Sequence, residues 1–94
     1  MSNSEYLSKA TKYYNAIKNI LLKQWDPIGI SGIPEASDEY DSYISEIYKM
    51  LINRSPKQDI FDYLWMLETE HMGLYGNINH TEKITCSLMN INNI

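Results

Sequence analysis

Two side chains that could bind a metal ion or transfer a proton, Glu68 and His71, are three residues apart in the sequence. On a helix this spacing places a carboxylate and an imidazole on one face, as in the metal centres of di-iron bundles. Such a centre needs a second Glu-x-x-His segment, and the other histidine, His80, does not belong to one. We therefore predict a surface or helix-end position for His71, and neither a metal ion nor another cofactor.

Nucleophilic catalysis would depend on Cys86 or on a serine beside a base. The sequence contains neither a strand–turn–helix serine motif nor a glycine-rich phosphate loop. Cys86 lies in an amphipathic segment, where a cysteine more often packs than reacts. We predict that the protein is not an enzyme. The alternative is a small enzyme or ligand-binding protein with a pocket near Trp25, built from scattered side chains: Asp26, Glu35, Glu68, Glu70 or His71.

Acidic residues interleaved with tyrosines occupy positions 35–46, and no basic residue interrupts them. An acidic surface that carries aromatic rings can imitate a nucleic acid for a basic protein, because it offers both negative charge and stacking groups. The ordinary interpretation of such a run is a solvated helix face. If the run is functional, the predicted protein-binding residues are Glu35, Asp38, Glu39, Asp41, Tyr43 and Glu46.

The elements that must position these side chains begin with two helices. Apolar residues at spacings of three and four predict helices over residues 4–24 and 37–52. Asp38, Glu39 and Asp41 would then lie in the first turn of the second helix, where acidic side chains face the positive end of the helix dipole.

A third helix is predicted over residues 55–72. Ser55 is the expected N-cap and Pro56 the first helical residue. Gly73 is expected to end the helix in a left-handed conformation. Apolar residues are nearly continuous along this segment, so we expect the third helix to form the centre of the core.

A fourth helix is predicted from Asn79, which forms a capping-box pattern with Glu82. Between the first two helices, residues 25–34 contain two prolines and two glycines and predict a loop. Because the loop also contains Trp25 and three isoleucines, we expect it to fold back and seal one end of the core.

The predicted fold is all-α: a compact bundle of four helices with the apolar Trp-Asp-Pro loop between helices 1 and 2. A chain of 94 residues can form one core but not two, so we predict one domain over residues 1–94. The core is expected to contain Ile17, Leu21, Ile44, Ile47, Leu51, Phe61, Leu64, Trp65, Leu67 and Leu88.

Charge and composition narrow the possible partners. The formal net charge is −4, from 12 acidic and 8 basic side chains, which opposes binding to nucleic acid or anionic membranes and favours a basic protein partner. The polar N-terminus does not have the pattern of a signal peptide, and no apolar stretch is long enough to span a bilayer. A single cysteine suits a reducing compartment, so we predict a cytoplasmic protein.

Several short motifs cover the first three quarters of the chain. They are Trp-Asp-Pro-Ile-Gly at 25–29, Pro-Glu-Ala at 34–36, Asp-Glu-Tyr-Asp at 38–41 with Tyr43, and Glu68-x-Glu70-x-Met-Gly-Leu ending at residue 74. This combination resembles a family of small bacterial helical proteins. The family includes immunity proteins of contact-dependent growth inhibition and related polymorphic toxin systems.

The resemblance implies a protein that binds the C-terminal domain of a cognate toxin and neutralises it without chemistry of its own. Many toxins of this class are nucleases, including enzymes that cut transfer RNA. Their substrate channels are basic, so an acidic cover is physically sensible. The resemblance does not specify the toxin.

The motif also has a structural interpretation that needs no partner. Asp26 can hydrogen-bond backbone amides beyond Pro27 and so fix a turn, while Trp25 can anchor the loop in the core. On this interpretation the family motif residues are structural: Trp25, Asp26, Pro27, Gly29, Tyr40 and Gly73. The resemblance would then predict the architecture better than the partner, and a housekeeping interaction module would be a further alternative.

Overall fold

Four α-helices dominate the computed structural model, which describes the backbone of residues 2–27, 29, 32–33, 36 and 38–93 and the side chains of those between 9 and 91. No strand occurs in these ranges. The all-α prediction is therefore confirmed. The helices are α1 (Ser2–Ile20), α2 (Asp41–Ile52), α3 (Lys57–Met66) and α4 (Ile78–Met89), and a 3-10 turn follows at Asn90–Asn93.

Two of the helices continue into π-helical turns that the sequence pattern did not predict. α1 continues through Leu21–Trp25 and α3 through Leu67–His71. The N–H of Asp26 donates to the carbonyl of Leu21 at 2.8 Å, and the N–H of Met72 donates to that of Leu67 at 2.9 Å. Each bond spans five residues, which defines a π turn, and such turns occur frequently at functional sites.

The predicted start of the second helix was wrong. The helix begins at Asp41, because residues 38–40 form turns in which the N–H of Glu39 donates to Ala36 and that of Asp41 donates to Asp38. Of the three acidic residues expected in the first turn, Asp41 alone lies there.

The predicted caps of the last two helices were also wrong. Pro56 is the N-cap of α3 in an extended conformation, with φ −60° and ψ 151°, so the helix begins one residue later. α4 is capped by Asn77, whose side chain accepts a hydrogen bond from the N–H of His80 at 3.0 Å. Asn79 and Glu82 therefore lie inside α4 and do not form a capping box.

The core lies where α1 packs against α2 and α4, and where α3 packs against α4. Eight of the ten predicted core residues are buried: Ile17, Leu21, Ile44, Ile47, Leu51, Leu64, Leu67 and Leu88. Phe61 and Trp65 were wrong, since both are only half-buried and their rings stack on each other with centroids 5.9 Å apart.

The third helix is not the centre of the core. It buries the stripe formed by Ile60, Leu64 and Leu67, whereas Met66 is exposed. Residues at spacings of four and three lie on one face of a helix, and Phe61 and Trp65 lie about 100° further round. The long apolar run therefore covers one buried face and one half-buried flank.

The loop after α1 is anchored by Trp25, which is only 2% exposed, as predicted. The expectation that its isoleucines also seal the core was wrong for Ile33, which is 47% exposed. Ile28 and Ile30 lie outside the described residues. In the described part of the chain, no helix is long and apolar enough to cross a membrane.

Gly76 holds the connection between α3 and α4 against Trp65. Its φ is +80°, and a Cβ built on it would approach two carbons of the Trp65 ring to 2.7 and 2.8 Å. Gly76→Ala should therefore lower the free energy of unfolding by about 1–2 kcal/mol. Urea denaturation would measure the change, with Gly32→Ala as the control because nothing lies within 4 Å of a Cβ there. Equal effects of the two substitutions would contradict the proposed close packing.

Candidate functional site

Acidic and phenolic side chains lie together along the outer face of α2 and the neighbouring part of α3. Tyr43 and Glu46 lie on α2 and Glu39 lies in the turn before it, and both carboxylates are exposed. Burial and the nearby charge of Glu39 raise the pKa of Tyr43 above 10.0. Burial and the nearby charges of Glu46 and Tyr43 likewise raise the pKa of Tyr63. We name Glu39, Tyr43, Glu46 and Tyr63 the acidic tyrosine stripe.

The other predicted protein-binding residues do not all join the stripe. Asp41 faces α1, where its Oδ1 lies 2.9 Å from Nζ of Lys18. This exposed pair contributes only about 0.2–1 kcal/mol to stability, but it neutralises the carboxylate locally. Asp38 is exposed in the turn before α2, and Glu35 lies outside the described residues.

Tyr43 connects the stripe with the loop after α1. Its ring stacks on that of Tyr40 and meets the rings of Trp25 and His71 edge-on, each with centroids 6.2 Å apart. Trp25 and Tyr40 are also in contact, with centroids 5.3 Å apart. One aromatic cluster therefore joins the outer face of α2 to the buried end of α1.

A cavity of about 350 Å³ opens beside this loop. We name it the Trp25 cavity. Its walls come from the end of α1, the π turn after α3, the connection between α3 and α4, and the first turn of α4. The lining residues are Trp25, Asp26, Pro27, Glu68, Leu74, Gly76, Asn77 and His80.

Glu68 is the buried carboxylate in the wall of this cavity, and it is only 3% exposed. Its Oε2 accepts a hydrogen bond from the hydroxyl of Thr81, which is itself fully buried, at 2.5 Å. The other oxygen, Oε1, accepts no hydrogen bond from any residue that the structure describes.

Two further hydrogen bonds fix the loop at the cavity. The hydroxyl of Tyr40 donates to Oδ1 of Asp26 at 3.0 Å. The ring Nε2 of His80 lies 3.2 Å from the carbonyl oxygen of Trp25, and it must carry the proton because a carbonyl can only accept. The indole N–H of Trp25 is buried and has no acceptor among the described residues.

The pocket of the alternative hypothesis exists, but its composition differs from the prediction. Asp26 and Glu68 line the cavity, whereas Glu70 and His71 are exposed. Within the described ranges, no three His, Cys, Asp or Glu side chains lie close enough together to hold a metal ion. His80 was missed as a cavity residue, because its contact with Trp25 joins positions 55 residues apart and leaves no local signal.

The motif residues support the fold directly. Trp25 and Tyr40 are buried against each other, and the N–H of Gly29 donates to the carbonyl of Asp26 at 3.2 Å. At the end of α3, Gly73 adopts φ +70°, and the N–H of Leu74 returns to the carbonyl of Glu68 at 2.9 Å. Gly73 thus supplies the left-handed residue that was predicted for this helix end.

Cys86 does not have the predicted packing role, because it is exposed on α4. Its Sγ lies 4.0 Å from Oε2 of Glu82. Glu82 forms an ion pair with Lys57 at the start of α3, and this hydrogen bond raises the pKa of Lys57. Glu82 therefore links two helices instead of capping its own.

Comparisons of the chain with protein-family models, with curated proteins and with solved structures give no match.

Proposed function

We propose that the chain is an immunity protein that acts in the cytoplasm. It binds the C-terminal domain of a cognate contact-dependent growth inhibition toxin, a nuclease such as a tRNase, and covers its cationic surface. The observation that carries the proposal is the acidic tyrosine stripe, where Glu46 on α2 and Glu39 in the turn before α2 place exposed carboxylates on both sides of Tyr43 along the chain. The resemblance of the Trp-Asp-Pro-Ile-Gly and Asp-Glu-Tyr-Asp segments to immunity proteins points the same way.

The carboxylates of the stripe are available to a partner. Neither Glu39 nor Glu46 forms an ion pair with a described residue, in contrast to Asp41 and Glu82. Unpaired exposed charges steer association with an oppositely charged surface. They also bind at a lower cost in free energy than paired charges, because no existing ion pair has to be broken. Tyr43 and Tyr63 add half-buried rings, which provide contact area at low cost in side-chain entropy.

Charge reversal at Glu46 tests the proposal. Glu46→Lys replaces −1 by +1 and so changes the formal net charge from −4 to −2. The residue lies in the middle of α2, away from the helix ends, so the helix dipole is little affected. We expect association with the toxin domain encoded beside this chain to slow by a factor on the order of three to ten at low salt. Most of this difference should disappear at about 0.5 M salt.

Asp62→Lys is the matched control, because Asp62 is also exposed and its replacement changes the net charge equally. Its only described partner is Gln58 one turn away, at 2.8 Å. Equal slowing by both variants would mean that net charge, and not the stripe, guides association. Co-expression of the chain with the toxin domain should restore growth and allow co-purification. Failure of both would overturn the proposed function.

A further inference from the structure

The carboxylate of Glu68 lies at the wall of the Trp25 cavity and accepts a hydrogen bond on one of its two oxygens. Thr81 occupies Oε2, while Oε1 has no hydrogen-bond donor among the described residues although the side chain is only 3% exposed. Oε1 is not among the buried atoms that lack a partner, so it is accessible at the cavity, where a cationic donor can reach it. Asp26 lines the same cavity and adds a second carboxylate.

We infer that the Trp25 cavity binds the guanidinium group of an arginine on the partner protein; this inference rests on the proposed function, to which it adds a second contact. A planar guanidinium matches a carboxylate with two parallel N–H donors and is weakly hydrated, so it enters a buried site more readily than an ammonium group. The cavity of about 350 Å³ has room for such a head and part of its stem. A basic toxin surface is a source of arginines.

The rim of the cavity indicates that the arginine belongs to a protein. Leu74, Gly76 and Asn77 line the cavity, and between and beside them the side chains of Tyr75 and Ile78 are 102% and 63% exposed. The close approach of Gly76 to the Trp65 ring holds this segment in place. Exposed tyrosine and isoleucine beside a charged pocket match the composition of interface hot spots, whereas a free small cation would gain little from them.

The cavity and the acidic tyrosine stripe are physically continuous. Tyr43 of the stripe contacts the ring of Trp25, which lines the cavity, and the ring of His71, which lies one turn after Glu68. A single partner can therefore place basic residues on the stripe and one arginine in the cavity. The buried contact would slow dissociation, while the exposed charges accelerate association.

Titration of the full chain with small probes tests the inference without the toxin. The probes are the blocked tripeptide Leu-Arg-Leu, its citrulline counterpart, which has the same shape without the charge, and methylguanidinium. In two-dimensional NMR spectra, we expect the arginine tripeptide to shift the amide signals of Leu74 and Asn77 and the indole signal of Trp25. The citrulline tripeptide should bind at least about tenfold more weakly. Equal binding of the two tripeptides by the unsubstituted chain would overturn the inference.

Variants then test whether Glu68 supplies the charge that binds arginine and whether Tyr75 at the rim contacts the peptide. Glu68→Gln should weaken binding of the arginine tripeptide at least about tenfold. Glu70 is an exposed neighbour outside the cavity, so Glu70→Gln should change this affinity less than about twofold. Tyr75→Ser should weaken binding of the tripeptide about threefold or more and leave the affinity for methylguanidinium unchanged. Equal effects of the two glutamine variants would overturn the assignment of Glu68. Methylguanidinium that binds as tightly as the tripeptide would overturn the assignment to a partner protein.

Failure of this titration is separate from failure of the proposed function. The probes contact the cavity, whereas Glu46→Lys changes α2 outside it. A negative titration together with slowed association of Glu46→Lys would leave the immunity proposal standing on the stripe alone. A positive titration without growth rescue would mean that the cavity binds arginine from some other partner. It would overturn the proposal that the partner is a toxin domain.

Discussion

Trp25→Ala is expected to lower the free energy of unfolding by about 3–5 kcal/mol. The side chain is 2% exposed and packs against the rings of Tyr40 and Tyr43 at centroid distances of 5.3 and 6.2 Å. Its removal would leave a large void and release the end of the loop after α1. Urea denaturation followed by far-UV circular dichroism would measure the loss.

Two other substitutions make the result specific. Trp25→Phe keeps most of the aromatic volume and removes the indole N–H that has no described acceptor, so it should cost less than half as much. Tyr75→Ala removes a fully exposed ring and should change stability by no more than about 0.5 kcal/mol. If Trp25→Ala costs as little as Tyr75→Ala, the loop is not anchored by its tryptophan.

Thr81→Val is the second substitution with a large expected effect, a loss of about 1.5–3 kcal/mol. Valine has nearly the shape of threonine, so packing is preserved while the 2.5 Å hydrogen bond to Oε2 of Glu68 is lost. The buried carboxylate then has no described donor on either oxygen. Thermal or urea unfolding of the variant would measure the loss.

Thr85→Val provides a closely matched control. Thr85 is as fully buried as Thr81 and lies one turn later on α4, but its hydroxyl donates to the backbone carbonyl of Thr81, at 2.8 Å. Loss of this bond leaves no charged group without a partner, so we expect about 1 kcal/mol or less. Replacing both partners with apolar groups, as Thr81→Val with Glu68→Met, should recover part of the stability. Equal losses for the two valine variants would contradict a stabilising role for the Thr81–Glu68 bond.

The number and approximate positions of the helices were predictable because helical spacing is a local property. Apolar residues three and four apart identify a buried stripe whatever the helix packs against, and Ile17, Leu21 and Leu64 were found in this way. Glycine and proline marked the ends of helices for the same reason. The caps were less predictable, because Asn77 and Asn79 both suit a helix start and the loop before them selects one.

The candidate site was predictable only in part. Tyr43 and Glu46 were identified together because residues three apart lie on one face of a helix, whereas Glu39 was expected in the same helix and lies in the turn before it. Glu68 and His71 were expected to share a face, yet Glu68 is buried beside Thr81 and His71 is exposed beside Tyr43. The two residues lie in a π turn, which changes the angle between successive side chains. The spacing of apolar residues did not predict this turn.

Local spacing was thus sufficient for the fold class, most of the core and the acidic character of α2. The docking of the helices settled which charges have partners and which line a cavity. Asp41 meets Lys18 from 23 residues away, and His80 meets the carbonyl of Trp25 from 55 residues away. Contacts of this kind depend on the relative positions of whole helices, and those positions result from the packing of every buried side chain at once.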